Sequence, residues 1–364
     1  MTSANRNKRT MSHLEERLEK DLNEIRTALA KQAEQVEKQV INAIRALQTG
    51  SRDQAYATVL NDHPVNREMR RIDRLCHSFI AVHLPSGSHL RLLSSAIRCN
   101  IELERIGDYA VTISREAVQL ANPPSGEIER QLDNLATGAQ AMLSQAVKAF
   151  NELNADLAEG TMVMADPVEH NLNEIYDAMM GGEAGTDLKE LFAIFVIFTN
   201  LKRVVDQAKN LCEETIFAVT GVQKRAKVYK VLFLERDGSF LAPMAEAIGN
   251  KLMASTGNFG SVAGEPGEIE SGLAAFLQER GIEFEPTRCR AIADMTTHEL
   301  ASQHVVVGLD APVSEFVENM PFHASVINWQ LRDIEGEGEA RYEAAYRELA
   351  VRIKDLMSLI RGDE

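Results

Sequence analysis

The feature that most constrains this chain is a change of hydrophobic period near Lys224–Lys230. Before it, apolar residues recur every three or four positions over long stretches. Leu14, Leu18, Leu22, Ile25 and Leu29 form one such series, and that spacing lines one face of a helix. The interruptions are short: Pro64, Pro85-Ser86-Gly87, Pro123-Pro124-Ser125-Gly126, Gly181-Gly182 and Gly185. Each can end a helix or turn the chain between antiparallel helices. After Lys230 the apolar residues gather into short runs: Val231–Leu234 (VLFL), His304–Leu309 (HVVVGL) and Ser325–Trp329 (SVINW). Helical stretches separate them, one opening with Pro243 and the last spanning Glu339–Ile360. Strands alternating with helices imply a parallel sheet. The fold class expected is therefore multidomain, with all-α bundles followed by an α/β domain.

The helical part repeats itself. Ile97–Val118 matches Phe195–Val219 in apolar spacing, with Arg105 aligned to Arg203 and Asp108 to Asp206. Asn61–Val65 (NDHPV) likewise resembles Ala165–Val168 (ADPV). Two copies of a three-helix unit joined at Pro123-Pro124 account for this. The expected organisation is a polar leader over 1–14, bundles over 15–122 and 123–224, and an α/β domain over 228–364.

Charge and cysteine use narrow the function. The chain carries 54 Asp+Glu against 39 Lys+Arg, a net −15, which repels a phosphate backbone. The basic run Asn5–Thr10 is short, so nucleic acid is not expected as a partner. Cys76, Cys99, Cys212 and Cys289 are scattered with no C-x-x-C pair, which suits a reducing compartment. Met1–Lys20 has no apolar segment of the signal-peptide kind. The longest apolar run, Leu191–Phe198, falls far short of the roughly 20 residues needed to span a bilayer. A cytoplasmic protein that meets membranes only through partners is expected.

Glu104 and Asp108 stand four apart on one helix and share a face. Leu103, Ile106 and Ala110 beside them belong to the buried stripe, and Gly107 lets another helix approach. Two carboxylates on one face repel unless a cation lies between them. Asp73 on the preceding helix, with Asp62 and His63 near its start, offers further ligands. A solvated acidic face is the alternative. The cluster Met162, Met164, Met179 and Met180 reads as core filling, and Trp329 as packing.

Glu102–Arg115 (ELERIGDYAVTISR), Asn61–Asp73 (NDHPVNREMRRID) and the two-fold repeat together resemble the PhoU family of bacterial phosphate-uptake regulators, over residues ~15–222. The resemblance implies two three-helix bundles with Glu/Asp-x-x-x-Asp motifs that hold iron or another divalent cation in some members. It implies no enzymatic activity. It implies as partners the ATPase of a phosphate ABC transporter and a sensor histidine kinase, and a homodimer. Glu104/Asp108 keeps the motif. In the preceding helix Asp73 stands but Met69 occupies the acidic position, and in the second bundle Lys202 precedes Asp206. The Asp166–Tyr176 stretch offers only Glu169 and Glu174. A cation is expected in the first bundle, at Glu104, Asp108 and Asp73, and not in the second, where Lys202 pairs with Asp206 or a facing acid.

Val231–Glu246 (VLFLERDGSFLAPMAE) reads as strand, loop and helix start, an arrangement that aims backbone N–H groups at an anion. With Ser261–Gly264, Leu277–Ile282, Val305–Asp310 and Asn328–Asp333, it resembles the low-molecular-weight tyrosine phosphatase and arsenate reductase superfamily over residues ~228–360. That resemblance implies a cysteine nucleophile, then an Arg-Ser pair, and an aspartic general acid. Here Glu235 stands at the nucleophile's place, Leu241 at the arginine's and Ala242 at the serine's, while Asp333 keeps the acid. A carboxylate repels an oxyanion and is a far poorer nucleophile than a thiolate, and leucine cannot clamp one. A degenerate, non-catalytic module is expected, with no cysteine near the loop in sequence. Either the Glu235 carboxylate fills the loop, helped by Asp237 or Ser239, or it points away and Arg236 helps hold a free anion. The rival functions are a phosphatase or arsenate reductase with a displaced mechanism, and a cation-binding scaffold.

Overall fold

The computed structural model describes residues 13–165, 187–223, 227–285, 289–321, 324–331, 334 and 338–362. Two compact units divide the chain, residues 1–224 and 225–364.

The first unit is helical: α1 (His13–Thr49), α2 (Arg52–Leu60), α3 (Asp62–His83), α4 (Gly87–Ala117), α5 (Gly126–Glu152), α6 (Ala155–Met162) and α7 (Leu188–Thr220). Leu22, Ile25 and Leu29 of the opening series are buried and Leu18 packs against them, whereas Leu14 is exposed. The segment between the two long helices α1 and α4 comes as two helices, divided at Asn61. Pro64 has no N–H to give the Leu60 carbonyl, so the helical ladder is interrupted there. Polar side chains start the shorter elements. Ser51 Oγ accepts from the Gln54 N–H at 3.4 Å, and Asn154 Oδ1 from the Leu157 N–H at 3.0 Å, each satisfying a donor the helix leaves free.

Helix α4 packs against α1, α3 and α7, and α5 packs against α7. Arg98 Nη1 lies 2.9 Å from Glu214 Oε1, and Arg203 sits over the Tyr109 ring at 5.8 Å. The early part of α4 thus meets the late part of α7, so the two helices run antiparallel. The buried residues of both repeats merge into one contiguous core. Met162 packs against it; Met179 and Met180 lie outside the described residues. Among the described residues, no helix is long and apolar enough to cross a membrane.

The second unit is built on five parallel strands: β1 (Tyr229–Glu235), β2 (Gly257–Ala263), β3 (Arg290–Ala291), β4 (Val305–Gly308) and β5 (Ser325–Asn328), in the order β3-β2-β1-β4-β5. The helices are α8 (Leu241–Leu252), α9 (Leu273–Glu279), α10 (Thr297–Ala301) and α11 (Glu339–Arg361). The apolar runs anticipated β1, β4 and β5. They did not reveal β2, where Gly257 and Gly260 dilute the pattern, or β3, which is two residues long.

Side chains alternate across β1. Val231 and Phe233 face a core shared with α8, α9 and α11, while Leu232 and Leu234 face a smaller one with Val306, Leu300 and Val313. Trp329 is buried, its ring centroid 5.7 Å from that of Phe233. Its role in the structure is packing. By the same alternation, Glu235 at the end of β1 shares the face of Val231 and Phe233, the face that α8 covers.

Phe198 is fully buried in the first unit's core. Phe198→Ala should destabilise the first unit by about 3–5 kcal/mol, the usual cost of emptying a buried aromatic site, lowering its thermal transition and leaving the second unit's in place. Scanning calorimetry of the full chain checks this; equal loss in both transitions would show that the units unfold as one.

Candidate functional site

The carboxylates of the first unit gather around Gly107. Glu104 is half-buried and Asp108 exposed on α4, and Asp62 reaches them from the start of α3. A Cβ on Gly107 would lie 3.1 Å from Gln39 Oε1 of α1 and 3.7 Å from Asp62 Oδ1. The missing side chain is what lets three helices bring oxygens to one place. Asp62 Oδ2 accepts from Asn66 Nδ2 at 2.6 Å. Among the described residues, Asp62 Oδ1 and both polar atoms of the buried Gln39 have no hydrogen-bond partner, which is costly in an interior. Burial, and then the Asp108 and Asp62 charges, push the Glu104 carboxyl above its ordinary range; burial and Asp62 do the same to Asp108.

Asp73 does not join this group. It lies eleven residues along α3 from Asp62, about 16 Å at 1.5 Å per residue, with its carboxylate 3.4 Å from His77 Nδ1. Met69, at the position where an acid was looked for, lends its carbonyl to Asn100 Nδ2 at 2.9 Å. The third acid is Asp62, the first residue of α3, named from sequence only as a further ligand beside Asp73. Gln39 had no sequence signal. Oxygen donors alone suit a hard cation, yet among the described residues no three His, Cys, Asp or Glu side chains converge into a formed metal cage. In the second repeat Lys202 Nζ lies 3.2 Å from Asp206 Oδ2, so the chain supplies its own cation there. Glu169 and Glu174 lie outside the described residues.

The second unit's loop is built differently. Glu235 is 5% exposed. Its Oε1 accepts from the Leu241 N–H at 3.0 Å, and its Oε2 from the Ala242 N–H at 2.9 Å and the Phe240 N–H at 3.3 Å. The carboxylate therefore occupies the helix N-terminus that sequence reasoning assigned to an anion. Asp237 does not join it: its carboxylate accepts from Ser239 N–H and Oγ at 3.1 and 2.9 Å. The Arg236 guanidinium pairs with Glu315 at 2.5 Å and Asp310 at 3.9 Å. Leu241 and Ala242 are buried in the core. Asp333 lies outside the described residues.

Cys289, distant in sequence, is brought against the loop. Gly238 has φ +61°, and a Cβ there would lie 2.8 Å from Cys289 Cβ and 3.1 Å from its Sγ. Cys289 Sγ is 3.4 Å from Ser261 Oγ, which donates to Glu246. Burial pushes the Cys289 thiol up, and the Glu235, Glu246 and Asp237 charges add to this. Such a thiol is a poor source of thiolate.

The PhoU domain model matches residues 29–117 and 132–215. The phosphate-specific transport system accessory protein PhoU homolog of Pseudomonas aeruginosa is 30% identical over 220 residues, covering 58% of this chain and 89% of that protein. The chain belongs to the PhoU family. The corresponding Pseudomonas putida protein is 29% identical over 249 residues, 96% of its length. The crystal structure of PhoU from Pseudomonas aeruginosa aligns with TM-score 0.54 at 29% identity, covering 56% of this chain and 99% of that one. The C-terminal part is also similar to the arsenate reductase of Archaeoglobus fulgidus, 25% identical with TM-score 0.30 over 35% of this chain. The two PhoU matches fall on the two repeats, one carrying the Glu104/Asp108/Asp62 group and the other the Lys202–Asp206 pair.

Burial raises the Glu235 carboxyl from 4.5 to about 7, against the lowering pull of its three N–H donors. A proton held more tightly folded than unfolded stabilises fully below the unfolded value and is lost as pH rises through the folded one. The second unit's calorimetric transition should therefore weaken between pH 4.5 and about 7, and Glu235→Gln should flatten that slope. An unchanged slope in the variant would assign the effect to other groups.

Proposed function

We propose that this protein is a non-enzymatic regulator of phosphate uptake and of phosphate-starvation signalling. Its PhoU part contacts the ATPase of a phosphate ABC transporter and a sensor histidine kinase. It does so from the cytoplasm as a homodimer and meets the membrane only through those partners. The observation that carries this is the doubled PhoU match together with near-complete coverage of relatives named for phosphate-specific transport. The α/β unit is a pseudo-enzyme used for binding. Glu235 in the loop, the apolar Leu241 and Ala242 beside it and the buried, raised Cys289 thiol support that reading over a displaced catalytic mechanism.

In the first repeat, Glu104 and Asp108, with Asp62 beside them and Gln39 Oε1 as a neutral donor, would close around a hard divalent cation, iron or another, only on binding it, since they form no cage beforehand. The cation's contribution would be to offset the burial, and with it the mutual repulsion, that raise both carboxyls. A pull-down from phosphate-replete cells should recover the transporter ATPase or the histidine kinase, and recovery of neither sinks the regulatory reading. Aryl phosphate and arsenate should show no turnover above that of a Glu235→Ala control.

Adding Mn²⁺ or Fe²⁺ to the chelator-treated full chain should raise the first unit's thermal transition. Glu104→Ala combined with Asp108→Ala should abolish the rise without unfolding the protein. A wild-type transition indifferent to metal would leave the three acids as a purely structural group.

A further inference from the structure

In the sheet order β3-β2-β1-β4-β5 the chain runs outward from β1 in one direction through β2 and β3, then returns to the other side at β4. Beyond the carboxyl ends of β1 and β4 the loops diverge, and open parallel sheets bind ligands in the crevice so formed. In this unit that crevice is bordered by Glu235–Phe240 after β1 and by Leu309–Pro312 after β4.

The β1 loop is organised as a cradle. Four of its carbonyls are engaged by one following segment: those of Glu235, Arg236, Asp237 and Ser239 accept from the N–H groups of Gly264, Glu265, Gly267 and Glu270 at 2.6–3.0 Å. Its amides turn elsewhere. The Arg236 N–H goes to Asp310 Oδ1 at 3.1 Å, tying the β1 loop to the β4 loop. The N–H groups of Phe240, Leu241 and Ala242 converge on the Glu235 carboxylate. An ordinary helix cap comes from the residue just before the helix, yet Phe240 holds that place with no side-chain cap bond. The carboxylate instead arrives from the end of the strand, five to seven residues earlier.

We propose that Glu235 is a built-in occupant of an oxyanion cradle. The second unit is thereby held in its anion-bound form by its own side chain and does not respond to free phosphate. This stands apart from the regulatory reading of the PhoU part and survives if that reading fails. The Arg236 guanidinium, on the same loop, is paired with Glu315 and Asp310, which competes with its holding an external anion. Asp237, beside the cradle, would repel one. Glu235→Ala removes the occupant and leaves three inward-facing N–H donors, a hole that formate, acetate or inorganic phosphate can enter.

The test reads the second unit's thermal transition in the full chain. In wild-type protein it should not move with millimolar phosphate, formate or acetate at constant ionic strength. In Glu235→Ala it should start lower and rise saturably with at least one of the three anions, formate being the smallest replacement for the lost carboxylate. A saturable rise of the wild-type transition with phosphate overturns the proposal. So does a folded Glu235→Ala protein that responds to no anion. If Glu235→Ala does not fold, Glu235→Gln replaces it. Its amide fills the same space without charge, its single oxygen accepting from part of the N–H set, so its second transition should also ignore phosphate, and a saturable response there overturns the proposal equally.

Discussion

The antiparallel contact of α4 with α7 is the interaction on which the first unit depends. Leu103, Ile106 and Ala110 on α4 and Leu201, Val204, Val205 and Ala208 on α7 are almost fully buried in one shared core. Each helix carries an apolar stripe that is costly to leave in water, and each buries that stripe chiefly because the other repeat brings a matching one. Polar contacts then set direction at its edges: Arg98 on Glu214, and Arg203 over Tyr109. With the stripes committed to the core, Glu104 and Asp108 are left on the adjoining face, where α1 and α3 pack and where Gly107 makes room.

The second unit turns on a different constraint, the two-residue period of a strand. Val231 and Phe233 must face the core under α8, so Glu235 faces it too and ends up buried against the N-terminus of that helix. A carboxylate placed there without donors would be expensive. Three backbone N–H groups offset that cost, and the protein keeps a loop whose polar atoms are satisfied by its own chain. Gly238 is needed at φ +61° both for the turn and for its close approach to Cys289.

The two sites were legible to different degrees. Glu104 and Asp108 showed themselves because a helix puts positions four apart on one face, a relation within a single element. Choosing between Asp73 and Asp62 as their companion required the register between α3 and α4, and local spacing does not carry that. Glu235 was readable as the residue at the loop because strand, loop and helix start are contiguous, but whether its carboxylate turned into the loop or away from it was left to the structure. Cys289 was invisible as a neighbour of that loop, since β1 and β3 are brought together only through the intervening β2.

By itself the sequence determined where the helical period gives way to strands, the two-fold repeat, the replacement of an acid by Lys202 and the charge at Glu235. Each is a matter of residue type or of spacing along one element, and elements form with the same periodicity wherever they end up. Only the tertiary structure decided that the two repeats merge into a single core, that Asp62 and the unpartnered Gln39 meet the α4 carboxylates across Gly107, and that Cys289 lies beneath Gly238. Those outcomes depend on how far one helix or strand slides along another, and that register comes from the packing of many side chains at once.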